Sequence, residues 1–220
     1  MTHLIPLPHR ESLNEKEMQQ RAATFLAHMR TRRSVRQFSS LPIPRQVITH
    51  CLQAAGTAPS GANQQPWHFV VVEDPTCKRR IRQAAEEVER AFYTTHAPED
   101  WLEALAPLKT NASKPFLENA PILIVAFAQR YGLTPQGETI KHYYVPESIG
   151  IAIGMLITAI HHCGLVTLPY TPQPMHFLSQ ILDRPENERP VMILPVGHPK
   201  PDATIPVIER KPLEQYTTFI

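Results

Sequence analysis

Arg32, Arg33 and Arg36 crowd the stretch TRRSVRQF, with Ser34 among them. Guanidinium groups packed this closely repel one another unless an anion sits between them. Each presents a planar fork of donors that suits phosphate. Three surroundings fit: nucleic-acid phosphate, the phosphate of a small cofactor, or plain solvent around a helix end. The balance of the whole chain favours the small anion. Its 22 Lys and Arg stand against 20 Asp and Glu, a net charge of +2, whereas a dedicated nucleic-acid binder carries a clear basic excess. Taken alone, the arginines leave open a non-enzymatic anion-binding protein.

Other residues have types and spacings that do chemistry. Glu89 and Tyr93 fall on one face of a predicted helix, and Lys114 follows in the polar segment TNASKPF. An acid, a phenol and an amine together bind a zwitterion: Glu89 suits an α-ammonium, and Lys114 with Tyr93 suits an α-carboxylate. The bland alternative is a solvated helix face and a loop lysine. The segment TAPSGANQQPW, 57–67, offers Ser60 and a small-residue backbone that a flat ligand could approach. PYTP, 169–172, puts the Thr171 hydroxyl at the end of a buried strand. Arg210 and Lys211 form a late cationic pair. No residues have metal-ligand spacing, and His142, His161 and His162 read as structural.

These residues need a scaffold, and 220 residues with 42% hydrophobic content suit one domain, 1–220, with a sizeable core. Helical stripes are predicted over 14–30 (Met18, Ala22, Phe25, Leu26, Met29), from Pro44 to Gly56, from Asp74 and Pro75 to about Phe92, and over 148–162 up to Gly164. Apolar runs at 67–74, 120–128, LVTLPYTP and 190–200 predict four strands in a sheet covered on both faces. The run 148–160 is too short to span a bilayer. No signal peptide is expected at the amino end. Cys51, Cys77 and Cys163 stand far apart without a C-x-x-C pair, so neither a disulfide framework nor a zinc site is suggested. A cytoplasmic protein fits.

The order RRSVRxF, TAPSGAxxxPW, APxLI, a long apolar helix, GLVTxxxTP, PVGxP and RKP resembles the nitroreductase-like flavoprotein superfamily over about residues 30–214. LKTNxxKxF and KHYYVPES bring it nearer to the iodotyrosine deiodinases within that superfamily. The resemblance implies an α+β fold with a central mixed, mainly antiparallel sheet between helices. It implies a tail-exchanged homodimer with FMN at the interface. Arg32, Arg33, Ser34, Arg36 and Arg210 then hold the flavin phosphate and ribityl chain. Ser60 approaches the flavin from the other subunit, and Pro169, Tyr170 and Thr171 touch its ring. Thr171 is expected to hydrogen-bond flavin N5 and favour single-electron steps. Glu89, Tyr93 and Lys114 match a trio in a lid, here about 87–116, that closes over the substrate. Ala62 offers a backbone donor to the substrate phenolate. An extended C-terminal tail is expected at about 200–220.

The activity so implied is FMN-dependent reductive dehalogenation of halogenated tyrosines, with NAD(P)H as electron donor directly or through a reductase. The alternative is an NAD(P)H-dependent nitroreductase acting on other aromatic substrates. No nucleic acid, membrane anchor or metal is expected. Asn63, Gln64 and Gln65 have no assigned role.

Overall fold

The computed structural model describes residues 4–7 and 11–220, the side chain of residue 96 excepted. Residues 1–3 and 8–10, part of the amino end in which no signal peptide is expected, lie outside the described residues. Two compact units are resolved, one ending at Arg32 and one spanning Arg33–Ile220. The first carries α1 (Glu15–Thr31), started by a capping box. The Asn14 side chain accepts from Glu17 N at 3.0 Å, and Glu17 Oε2 accepts from Asn14 N at 2.8 Å. The predicted stripe is present, but α1 buries no residue. Among the described residues, its own unit holds no other helix or strand to cover Phe25 and Leu26.

In the second unit, α2 (Arg45–Gly56) follows Pro44 and leads through a tight loop to β1 (Trp67–Val72). Asp74 caps α3 (Pro75–Ala91), its carboxylate accepting from Cys77 N at 2.6 Å, with Pro75 at the first helical position. The short helices α4 (Glu99–Leu105) and α5 (Phe116–Asn119) precede β2 (Ile122–Gln129). A hairpin, β3 (Tyr131–Leu133) with β4 (Thr139–Lys141), comes next. Then come α6 (Val145–His162), β5 (Val166–Thr167), α7 (Phe177–Ile181) and β6 (Glu188–Gly197).

The main sheet has the order β1-β2-β6-β5, and all three pairings are antiparallel. The predicted third strand shrinks to Val166–Thr167, because the prolines beyond it cannot donate to a ladder. Tyr170 alone rejoins the sheet, exchanging backbone hydrogen bonds with Ile193 at 2.9 Å in both directions. One parallel bridge, Ser34 to Thr167, makes the sheet mixed. It lays Ser34 along the β5 edge, with Val35 and Phe38 buried and Arg36 partly exposed.

Central β2 is apolar on both faces, as a strand covered twice must be. Leu123, Val125 and Phe127 join a core with α3, α5 and α7, while Ile124, Ala126 and Ala128 join a second core with α2 and α6. The α6 helix proves longer than the predicted apolar run. It is 18 residues long, and by length and composition alone it would cross a membrane. Its Ile149, Ala152, Ile153, Leu156 and Ile160 are buried, which makes it a core helix. Gly164, at φ +76°, closes it in the left-handed conformation. Packing of α2 on α6 sets Cys51 Sγ 3.9 Å from Cys163 Sγ, although the two are remote in sequence. Burial, with Cys163 alongside, pushes the Cys51 thiol up to about 12.

The C-terminal segment is tied at its start. Gln37 Oε1 accepts from Thr204 N at 2.6 Å. Beyond it, only a short helical turn at Leu213–Gln215 interrupts an extended chain with Val207, Phe219 and Ile220 exposed.

Candidate active site

The last turn of α3, the segment before α5 and the strand end after β5 converge on one cavity of about 220 Å³. Glu89, Tyr93, Lys114, Tyr170, Thr171 and Arg36 all line it. The helix carries Glu89 past its buried Ile81 and Ala85, then loosens into a wider π-type turn at Phe92–His96 that holds Tyr93. Such turns recur where a side chain must be re-aimed. Phe92 holds this turn by edge contacts to Tyr93 and Trp101, with centroids 5.3 Å and 5.2 Å apart. The segment expected as a lid therefore folds as a helical cap whose Trp101, Leu105 and Leu108 face the cavity.

Lys114 is only 3% exposed. Its backbone N–H donates to Glu86 Oε1 at 2.7 Å, and its Nζ donates to Thr110 Oγ1 at 3.1 Å and to Asn111 O. Nζ also lies 3.0 Å from Glu89 Oε2. Burial pushes the Lys114 ammonium below its ordinary range, and the Arg36 cation adds to this, while Glu89 pulls the other way. Glu89 and Lys114, expected to meet opposite ends of a zwitterion, here pair with each other. The other carboxylate oxygen, Glu89 Oε1, accepts from the Tyr170 hydroxyl at 2.9 Å. The bland reading of a solvated pair does not apply: both side chains are largely withdrawn from water.

Arg36 enters the same cavity with no ion pair among the described residues, and burial pushes its guanidinium below the usual range. Pro169 and Thr171 are exposed on either side of inward-turned Tyr170. The Thr171 hydroxyl makes no hydrogen bond among the described residues. Tyr170, expected to touch a flavin ring, bonds through its backbone to Ile193 and through its hydroxyl to Glu89.

The remaining predicted residues lie off the cavity. Ser34 pairs with Thr167, whose buried Oγ1 has no partner. Arg33 donates to the carbonyl of Pro206, tying the arginine stretch to the C-terminal tail. Arg32 ends the first unit, where its backbone N–H donates to Met29 O at 3.2 Å, and Arg210 is exposed on the tail.

Ser60 and Ala62 occupy a loop of unusual backbone: Ala62, Asn63 and Gln65 are all left-handed, at φ 51°, 54° and 49°. Non-glycine residues rarely adopt this conformation, and clusters of them mark functional loops. Ser60 Oγ accepts from Gln65 N at 2.9 Å. Gln64 donates to Lys141 O at 2.6 Å and accepts from Tyr143 N at 2.8 Å, so it clamps the loop to the chain leaving β4.

One residue of the site, Trp101, escaped the sequence, and so did the hydroxyl partner of Tyr170, which lies 81 positions away. Trp101 gave no signal beyond being a large apolar residue in a polar stretch.

A family model described as Nitroreductase family matches residues 29–198. An iodotyrosine deiodinase of Haliscomenobacter hydrossis is 51% identical over 196 residues, which are 89% of this chain and 88% of that protein. Iodotyrosine deiodinase 1 of Homo sapiens is 43% identical over 212 residues, covering 96% of this chain and 73% of that one. Among solved structures, an oxidized iodotyrosine deiodinase bound to FMN and 3-iodo-L-tyrosine has a TM-score of 0.77 at 31% identity. That match covers 89% of this chain and all of the other. The antiparallel sheet, the two-sided core and these matches along most of the sequence agree: the chain belongs to the nitroreductase family.

Proposed function

We propose that this protein removes halogen from halogenated tyrosines by reduction, using FMN. The observation that carries the proposal is the withdrawn set of Glu89, Lys114 and Tyr93 in one cavity with Arg36 and Thr171. A buried anion–cation pair is costly to maintain for stability alone, and a zwitterion is the ligand that complements it. Relatives named iodotyrosine deiodinase support the same substrate class.

The residues present fit FMN. Among the described residues, Arg36 is a partly desolvated guanidinium with no carboxylate partner, and the Thr171 hydroxyl makes no hydrogen bond. A volume of about 220 Å³ lies below the roughly 300–1,000 Å³ of pockets for larger ligands. The cavity thus suits one aromatic ring with its amino-acid end. Flavin contacts fall to Arg32, Arg33, Ser34, Arg36, Pro169, Tyr170, Thr171 and Arg210, with Ser60 contributed by a second copy. When bound, FMN supplies the two electrons that reduce the carbon–halogen bond. Glu89 takes the substrate ammonium, while Lys114 and the Tyr93 hydroxyl take its carboxylate. The Ala62 N–H stabilises the phenolate, as an oriented donor does for a localised anion. Segment 87–116 excludes water over the bound ligand.

The working unit is a homodimer. Ser60 and Ala62 do not line the cavity of their own chain, so this loop serves the site of a second copy. The exposed Val207, Phe219 and Ile220 supply apolar surface for exchange of the tails. NAD(P)H, directly or through a reductase, provides the electrons, and the protein works in the cytoplasm.

The test is anaerobic mixing of the reduced FMN-loaded protein with 3-iodotyrosine. The expected result is flavin reoxidation with release of equimolar iodide and tyrosine. No iodide, with nitroaromatics still reduced, would leave a general nitroreductase.

A further inference from the structure

We infer that Tyr170 is a positioning residue for substrate recognition: its hydroxyl holds Glu89 so that one carboxylate oxygen stays aimed into the cavity for the substrate's ammonium. This rests on the assignment of Glu89 to that ammonium. Tyr170 is fixed more firmly than its place between two prolines suggests. Both of its backbone groups bond to Ile193 at 2.9 Å. Its ring is 8% exposed and packs edge-on against Phe116, centroids 5.4 Å apart at 87°.

From this anchored ring the hydroxyl reaches Glu89 Oε1 at 2.9 Å, while Lys114 Nζ lies 5.6 Å from the ring centroid and 3.0 Å from Glu89 Oε2. One side chain therefore touches both members of the ion pair. Burial first, and the Glu89 charge next, push the Tyr170 phenol far upward, so it remains a donor at physiological pH.

The two oxygens of Glu89 have different duties in this arrangement. Oε1 is committed to a donor that cannot leave, because the phenol is held by sheet and core. Oε2 faces Lys114, whose flexible stem can release it. A zwitterion entering the cavity offers an ammonium to Oε2 and a carboxylate to Lys114, and the pair separates without Glu89 losing its orientation. Without the phenol, the carboxylate is free to turn and present both oxygens to Lys114. The internal pair then competes more strongly with the substrate. The same hydroxyl makes no demand on a ligand that lacks an amino-acid group.

The test compares 3-iodotyrosine with 2-iodophenol by calorimetric titration of the FMN-loaded protein. Tyr170→Phe keeps the ring and its contact with Phe116. It is expected to shift the ratio of the two dissociation constants about tenfold against 3-iodotyrosine, the size of a lost hydrogen bond to a charged group. Placed on a Glu89→Ala background, the same substitution is expected to shift the ratio no further, since Tyr170 acts through Glu89. Equal losses for both ligands would assign Tyr170 to packing alone and overturn the inference. A shift with Glu89→Ala but none with Tyr170→Phe would overturn it while leaving the substrate reading intact. No shift with either variant would remove both.

Discussion

Arg36 keeps its charge in a half-buried position with no carboxylate partner among the described residues. That is tolerable if an anion from outside the chain completes the site. Arg36→Ala is therefore expected to weaken FMN binding by about 1.5–3 kcal/mol, the value of a charge-assisted hydrogen bond. The melting temperature of the flavin-free protein should change little. Fluorescence titration of the apoprotein with FMN measures the first, and undiminished affinity would show that Arg36 does not touch the flavin.

Glu188 is the opposite case, a charge satisfied from within. Burial works to raise its carboxyl. Hydrogen bonds from Arg184 at 2.7 Å and Gln129 at 3.2 Å, with His68 nearby, outweigh burial and hold it below the ordinary range. A carboxyl lowered in the folded state adds stability that is full above its unfolded value, about pH 4. That stability is lost as pH falls through the lower folded value. Glu188→Gln should flatten the acid limb of a melting-temperature profile and lower stability at neutral pH by about 1–3 kcal/mol.

The loop of Gly61 and the hairpin that receives it belong to the scale of elements. A Cβ on Gly61 would stand 2.8 Å from Tyr143 O, a backbone atom that cannot swing away. Gly61→Ala is expected to destabilise the fold by about 1–3 kcal/mol, the usual cost of overpacking. Because the Gln64 clamp shares the same contact, the variant should also increase proteolysis near residue 143.

The main elements were legible beforehand, while this loop and hairpin were not, for reasons local to each element. β1, β2 and β6 are apolar runs, and the fold announces them. β3 and β4 are three residues each, and β4 is wholly exposed, so no burial pattern exists to read. The left-handed turns at Ala62 and Gln65 fall on residues that carry no such signal, unlike those at Asn63 and Gly164. Glu89, Tyr93 and Lys114 were found by type and spacing. That Glu89 and Lys114 would meet each other required the path of the segment between them, which composition does not determine.

At the scale of the whole molecule, the exposed apolar tail and the loop standing off its own cavity lead to one expectation. Sedimentation at micromolar concentration should give a dimer carrying two FMN. A monomer fully loaded with flavin would remove the second copy from the site. The sheet matters at this scale as well. The core formed with α3, α5 and α7 includes Phe116, Leu168 and Tyr170, which back the cavity. The core formed with α2 and α6 contributes no cavity residue. The two share strands but no side chains, so selection can act on them separately. Descendants of this chain are free to change the shape and charge of the cavity through residues packed on one side of the sheet. The other face, with Ile124, Ala126 and Leu156, still specifies the fold. A protein divided in this way gives rise to new substrate preferences more readily than one whose recognition and folding rest on the same side chains.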